Sequence, residues 1–164
     1  MLHSMNTPAD PRLILSESEL DLGLELVLLA ETAIWTAVDA AMESEPKGLG
    51  RSHWRAAFLI RRRPGVGVKE IARLTALTKQ AASRTLSDLE AHGLAEKVPG
   101  ELDARRRPAR LTAAGLAFEA RVAENLRGLI AMAYRDGGLD GVAAGRRILA
   151  SLAGPRLTAR RQDE

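Results

Sequence analysis

Three features of the sequence predict a mainly α-helical chain with a small β-hairpin. Aromatic residues make up only 3% of the 164 residues, while Ala, Leu and Arg abound, a balance that favours helices over a β-sandwich. Apolar residues recur at three- and four-residue steps through most of the chain. One segment, from Leu94 to Thr112, changes to short extended runs. At 46% apolar and 27% charged, the composition is globular and sufficient for one domain with a sizeable core.

The elements follow in order. Residues 1–15 carry Pro8 and Pro11 without periodicity and read as an N-terminal tail. Ser16 or Ser18 can cap a long helix running to about Met42, within a segment 16–46. Leu22, Leu26, Leu29 and Ala33 form one apolar stripe on it, and Leu24, Val27, Ile34, Val38 and Met42 another. A helix wetted on one side needs only one such stripe, so a second packing surface, such as another subunit, is expected. "ESEPKGLGRS" (43–52) is a turn-rich break. Ser52 is the candidate cap of a second helix carrying Trp54, Ala57, Phe58 and Ile60 or Arg61 at helical spacing, ended by Pro64 and Gly65.

"VKEIARLTAL" predicts a short helix buried through Ile71, Ala72 and Leu74 or Leu77. Thr78 caps the next one, whose apolar side is Ala82, Leu86 and Leu89, and Gly93 supplies a left-handed stop after His92. "LAEKV" (94–98) and "RPARLT" (107–112) read as two strands around a basic loop, Pro108 limiting the regularity of the second. After Thr112 a long helix is expected with Leu116, Val122 or Ala123, Leu126, Ile130 and Ala133 or Tyr134 on its apolar side. "RDGGLDG" breaks it before a last helix, so that helices occupy 113–154 and 155–164 is a tail.

Charge is unevenly placed. Residues 13–46 hold eight acids and no Lys or Arg, whereas from Lys47 onward 23 Lys and Arg stand against 12 Asp and Glu. Such asymmetry points to a polyanionic partner for the later part, with a compositional bias towards arginine as the plainer explanation. The fourth helix is more specific. Opposite its apolar side it presents Thr78, Lys79, Gln80, Ser83, Arg84 and Ser87, all hydrogen-bonding and none acidic, while Asp88 and Glu90 are kept elsewhere. Two short helices followed at once by a basic hairpin are what a winged helix-turn-helix needs. The second helix must fit a DNA major groove without acids that repel phosphates, and the wing must reach the adjacent backbone or minor groove.

"VKEIARLTALTKQAASRTLSDLEAHGLAEKV" followed by "LDARRRPARLTAAG" resembles the DNA-binding core of MarR-type transcriptional regulators, from about His53 to Leu116. "KQAASR" stands where that family begins its recognition helix, "DAR" (103–105) at its Asp-x-Arg wing signature, and "LTAAG" (111–115) at its Leu-Thr-x-x-Gly strand exit. The resemblance implies a winged helix-turn-helix over 51–112 and dimerisation helices in 16–46 and 113–154. It implies a homodimer on double-stranded DNA, regulating transcription, most simply as a repressor. Lys79, Gln80, Ser83 and Arg84 would then face the major groove. Arg105 would occupy the wing tip, oriented by Asp103, with Arg106, Arg107 and Arg110 available for phosphates. Three residues depart from the family pattern: Thr75 replaces an aliphatic core residue, Ala76 a glycine in the turn, and Pro108 a strand residue.

Other site types find little support. There are no cysteines and only three histidines, none at a metal-binding helical spacing, so no metal or other cofactor is expected. No activated nucleophile or phosphate-binding glycine loop is present, and "PGVG" (64–67) reads as a turn, which argues against an enzyme. The 22–42 stretch has the length of a membrane span but is interrupted by Glu25, Glu31 and Asp39. The first dozen residues lack signal-peptide character, so a cytoplasmic protein is expected. In the resembling family small molecules bind between the dimer arms and the DNA-binding lobe, which makes Trp35, His53, Trp54 and Phe58 a candidate effector pocket. Large apolar residues at helical spacing are more often core, and that is the favoured assignment.

Overall fold

The computed structural model describes residues 13–98 and 108–154. These form α1 (Glu17–Met42), α2 (Arg51–Arg62), α3 (Val68–Thr75), α4 (Lys79–Ala91), β1 (Ala95–Lys97), β2 (Ala109–Leu111) and α5 (Ala113–Leu152). They fall into two units, one ending at Trp35 and the other beginning at Thr36. In the first unit, Ser16 caps α1. Its amide donates to Glu19 Oε2 at 2.7 Å, and the Glu19 amide donates back to Ser16 Oγ at 3.3 Å. Leu20, Leu22, Leu24, Leu26, Val27, Leu28 and Leu29 are all exposed on this part of the helix.

The second unit holds the core, built from Val38, Trp54, Ile60, Ile71, Leu86, Leu89, Leu111, Phe118 and Val122. Helix α2 starts from Gly50 rather than from the expected Ser52. The reason is His53, whose Nδ1 accepts the Gly50 amide at 2.9 Å and closes the helix start from inside. Helix α3 stops at Thr75, short of Leu77, because Ala76 adopts the left-handed conformation at φ 57°. That geometry costs an alanine about 1 kcal/mol. Its neighbours hold it in place: the buried Thr75 hydroxyl donates to the Ile71 carbonyl at 2.7 Å, which is how a threonine sits in an aliphatic position. Arg55 of α2 also donates to the Leu74 and Thr75 carbonyls at 3.3 and 3.4 Å, placing a cation on the free end of α3.

Helix α4 ends in a Schellman motif, as Gly93 (φ 68°) suggested. The Gly93 amide donates to the Glu90 carbonyl and the Leu94 amide to the Leu89 carbonyl. Strands β1 and β2 then pair antiparallel, with Ala95 opposite Leu111, Glu96 opposite Arg110 and Lys97 opposite Ala109. Pro108 sits just outside the ladder, where its carbonyl accepts from the Val98 amide and no proline N–H is required. The Leu-Thr-x-x-Gly exit has a physical reason at each position. Leu111 is buried, and Thr112 caps α5 through a bond from the Gly115 amide at 3.1 Å. The Thr112 hydroxyl also donates to the Gly93 carbonyl at 2.6 Å. A Cβ at Gly115 would overlap the Leu94 carbonyl, standing 2.8 Å from its carbon.

This close approach sets the phase of α5. Gly115, Phe118, Glu119, Val122, Ala123 and Leu126 are buried, while Leu116 and Ile130, expected on the apolar side, are exposed. Rotating Leu116 inward would drive a side chain into the junction that Gly115 leaves open. The predicted break after Tyr134 narrows to one residue, Gly138, at φ 62° and ψ −177°. Arg146 lies 5.3 Å over the Tyr134 ring. Twelve residues of straight helix would separate them by about 18 Å, so the chain bends sharply at Gly138. No helix among the described residues is long and apolar enough to cross a membrane.

Two predictions follow from this packing. Gly115→Ala should destabilise the protein by about 3 kcal/mol in chemical denaturation, whereas Ala113→Gly, at an exposed position of the same helix, should cost under about 1 kcal/mol. Equal effects would contradict the close approach. The Arg51 guanidinium donates to both Asp39 oxygens, holding that carboxyl below the usual range. A depressed value stabilises the fold above the ordinary carboxylate pKa of about 4 and ceases to do so as pH falls through the lower folded value. Asp39→Asn should therefore soften the fall in melting temperature on acidification below about pH 4. An identical fall in variant and parent would contradict this.

Candidate nucleic-acid interface

The opening of α4 is fixed by Thr78, whose Oγ1 accepts the Ala81 amide at 3.1 Å. From that start the two sides of the helix separate cleanly. Ala82, Thr85, Leu86 and Leu89 are buried, whereas Thr78, Lys79, Gln80, Ser83, Arg84 and Ser87 are exposed. The exposed set repeats at steps of three and four, so it forms one stripe along the helix. Lys79 and Arg84 make no ion pair with the described residues.

The acids of α4 are engaged elsewhere. Asp88 Oδ2 lies 3.1 Å from His53 Nε2 on α2, and Glu90 Oε2 lies 3.2 Å from Lys97 Nζ on β1. Next door on α3, Arg73 is paired with Glu70 through bonds of 3.1 and 2.7 Å, which raise its pKa further. The exposed side chains of the stripe are therefore donors, and the two acids on the same side of α4, Asp88 one turn beyond Arg84 and Glu90 two turns beyond Ser83, are both paired. Lys and Arg supply donors for guanine O6 and N7, Gln can pair with adenine, and Ser suits either a base or a phosphate.

On the hairpin the outward residues are Glu96, Lys97 and Arg110. Arg110, considered for a phosphate contact, donates to Glu96 Oε1 across the strands, at 3.0 Å from Nε and 2.7 Å from Nη2. The cross-strand register places these two side by side and gives the guanidinium a local acceptor. Asp103, Arg105, Arg106 and Arg107 lie outside the described residues.

The residues considered for an effector pocket have mixed placements. Trp54 is buried, with its ring centroid 5.5 Å from that of half-buried Phe58, and Arg61 lies 5.5 Å over the Phe58 ring. His53 uses both ring nitrogens, on Gly50 and Asp88. Trp35 belongs to the first unit, where its Nε1 donates to Glu31 at 3.3 Å. His92 closes the end of α4, Nδ1 lying 2.7 Å from the Asp88 carbonyl, in keeping with its expected place at the helix C-terminus. Sequence reasoning missed Glu119, which is buried on α5 and 2.7 Å from Arg61 Nε. Its signal was a carboxylate four residues from Gly115 and one from Phe118, in a stripe that otherwise reads as apolar. Glu45, bonded to Arg121 at 2.7 and 2.8 Å, was missed too, since the pair is 76 residues apart.

Known proteins resemble this chain in sequence and fold. The family model described as MarR family matches residues 47–106. The HTH-type transcriptional regulator PetP of Rhodobacter capsulatus is 31% identical over 145 residues, 88% of this chain and 86% of PetP. CouR from Rhodococcus jostii RHA1, solved bound to p-coumaroyl-CoA, is similar with a TM-score of 0.66 and 23% identity over 82% of this chain and 93% of CouR. A MepR mutant from S. aureus, solved bound to an oligodeoxyribonucleotide, has a TM-score of 0.53 and 14% identity over 80% of this chain and 95% of MepR. The two structures agree in fold, and the likeness to PetP extends along almost the whole chain. With a helix-turn-helix, a two-stranded wing and flanking helices matched in one continuous sequence, the chain belongs to the MarR family of transcriptional regulators.

Proposed function

We propose that the protein is a homodimeric repressor that binds a pseudo-palindromic operator with half-sites about one helical turn apart. The observation that carries this reading is the exposed, donor-rich stripe of α4, whose Lys79 and Arg84 have no acidic partner among the described residues. Thr78, Lys79, Gln80, Ser83, Arg84 and Ser87 would lie against the major groove, and Asp103, Arg105, Arg106 and Arg107 would form the wing contact. Phosphates would provide most of the affinity and groove-facing side chains most of the selectivity. The exposed leucines of α1 support a dimer, as do Leu139, Ile148, Leu149 and Leu152 at the end of α5. Apolar surface on that scale is uncommon on a monomer. Repression is the simplest outcome for a dimer that occupies about two turns of promoter DNA. The CouR complex supports control by a small organic molecule, which would shift the population between DNA-competent and incompetent arrangements.

The same exposed apolar helix favours a second reading, in which the winged fold works through protein partners. Fluorescence anisotropy on the full-length protein separates the two. Its own upstream DNA should bind more tightly than a scrambled duplex, with affinity falling steeply as salt rises. Arg84→Glu should weaken specific binding by roughly a hundredfold, and Arg105→Glu should also weaken it. If neither duplex binds at low salt, or if both charge reversals leave binding unchanged, the DNA-binding reading fails and partner binding takes its place.

A further inference from the structure

Hydrophobic burial holds α4 onto the core but does not fix its rotation well, because apolar attraction lacks direction. Directional contacts are therefore informative, and on α4 they gather at its C-terminal half. His53 is the main one. Its side chain is only 12% exposed, and it lies between the start of α2 and the side of α4. The Gly50 amide can only donate, so Nδ1 must present its lone pair there, and the neutral ring carries its proton on Nε2. Nε2–H then donates to Asp88 Oδ2 at 3.1 Å. The ring is thus oriented by the backbone that begins α2 and passes that orientation to α4. Asp88 lies one turn beyond Arg84 and next to Ser87, so a bond at this position sets the azimuth of the exposed stripe. One turn further on, His92 anchors the helix end on the Asp88 carbonyl, with its ring close to Gly48.

We propose that His53 and Asp88 form a strut that positions the recognition helix, making them specificity-setting residues that act through Lys79, Gln80, Ser83 and Arg84. The proposal rests on the reading that this stripe faces DNA. It differs in sign from the obvious alternative. If Asp88 were merely an acid near phosphates, removing its charge would strengthen DNA binding. If it is a strut, removal weakens binding although a repulsive charge has gone.

The test is a double-mutant cycle on the full-length protein, read as affinity for its own upstream DNA and for a scrambled duplex. Asp88→Ala and His53→Asn should each lower specific affinity about tenfold with little change for the scrambled duplex. The shorter Asn amide retains an acceptor for Gly50 but does not reach Asp88. The double variant should bind as well as either single one, and Asp88→Asn, whose amide oxygen still accepts from Nε2–H, should recover most of the loss. Amide exchange should quicken within 79–91 in Asp88→Ala while the melting temperature stays close to that of the parent. Unchanged or tighter binding by Asp88→Ala would overturn the proposal, and so would losses that multiply in the double variant. Arg84→Glu serves as the control. If it abolishes specific binding while the strut variants bind normally, the strut alone fails; if it too binds normally, the DNA-facing reading fails and takes the strut with it.

Discussion

The fold depends on one close approach, that of Gly115 to the Leu94 carbonyl. Three elements meet there: α4 ends, β1 begins and α5 begins. The Schellman turn at Gly93 brings Leu94 into position, and Thr112 closes the junction by donating to the Gly93 carbonyl and capping α5. A side chain at 115 would force α5 away from the end of α4 and the start of β1. The spacing of Thr112 and Gly115 in the Leu-Thr-x-x-Gly motif thus has a mechanical origin, since one residue holds the turn and the other leaves room for it. It also explains why the buried stripe of α5 runs through Phe118, Val122 and Leu126 and leaves Leu116 outside.

With the junction fixed, the charge pattern around α4 becomes intelligible. Several of the basic residues after Lys47 are internally matched: Arg51 with Asp39, Arg61 with Glu119, Arg73 with Glu70, Lys97 with Glu90, Arg110 with Glu96 and Arg121 with Glu45. Net charge therefore does not say where a polyanion would sit. What distinguishes the candidate interface is local. Lys79 and Arg84 stand without acidic partners among the described residues, and the acids of their own helix are drawn off by His53 and Lys97. A helix arranged this way offers donors to DNA while its own carboxylates are paired.

Much of this was legible in the sequence because it rests on local rules. The two faces of α4 follow from helical spacing, Thr78 from capping and Gly93 from the left-handed stop. Errors arose where a residue answers to a distant partner. Ser52 looked like the cap of α2, but His53 turns back onto Gly50, and what holds the other side of that ring is Asp88, 35 residues away. Glu119 broke an apolar pattern for a reason visible only when α2 lies beside it. The pairing of Arg110 with Glu96 likewise depends on a strand register that sets residues 14 apart side by side. The seven-residue break before the last helix narrowed to Gly138 because a single glycine at positive φ can turn the chain.

The most direct measurement of the central claim, that the exposed stripe of α4 reads the major groove, is guanine N7 methylation interference on the upstream DNA. The account predicts two short clusters of interfering guanines about one helical turn apart, which become insensitive to methylation when Arg84 is replaced by Ala and residual binding is probed. Interference confined to adenine N3 in the minor groove, or a guanine pattern unaltered by Arg84→Ala, would contradict it.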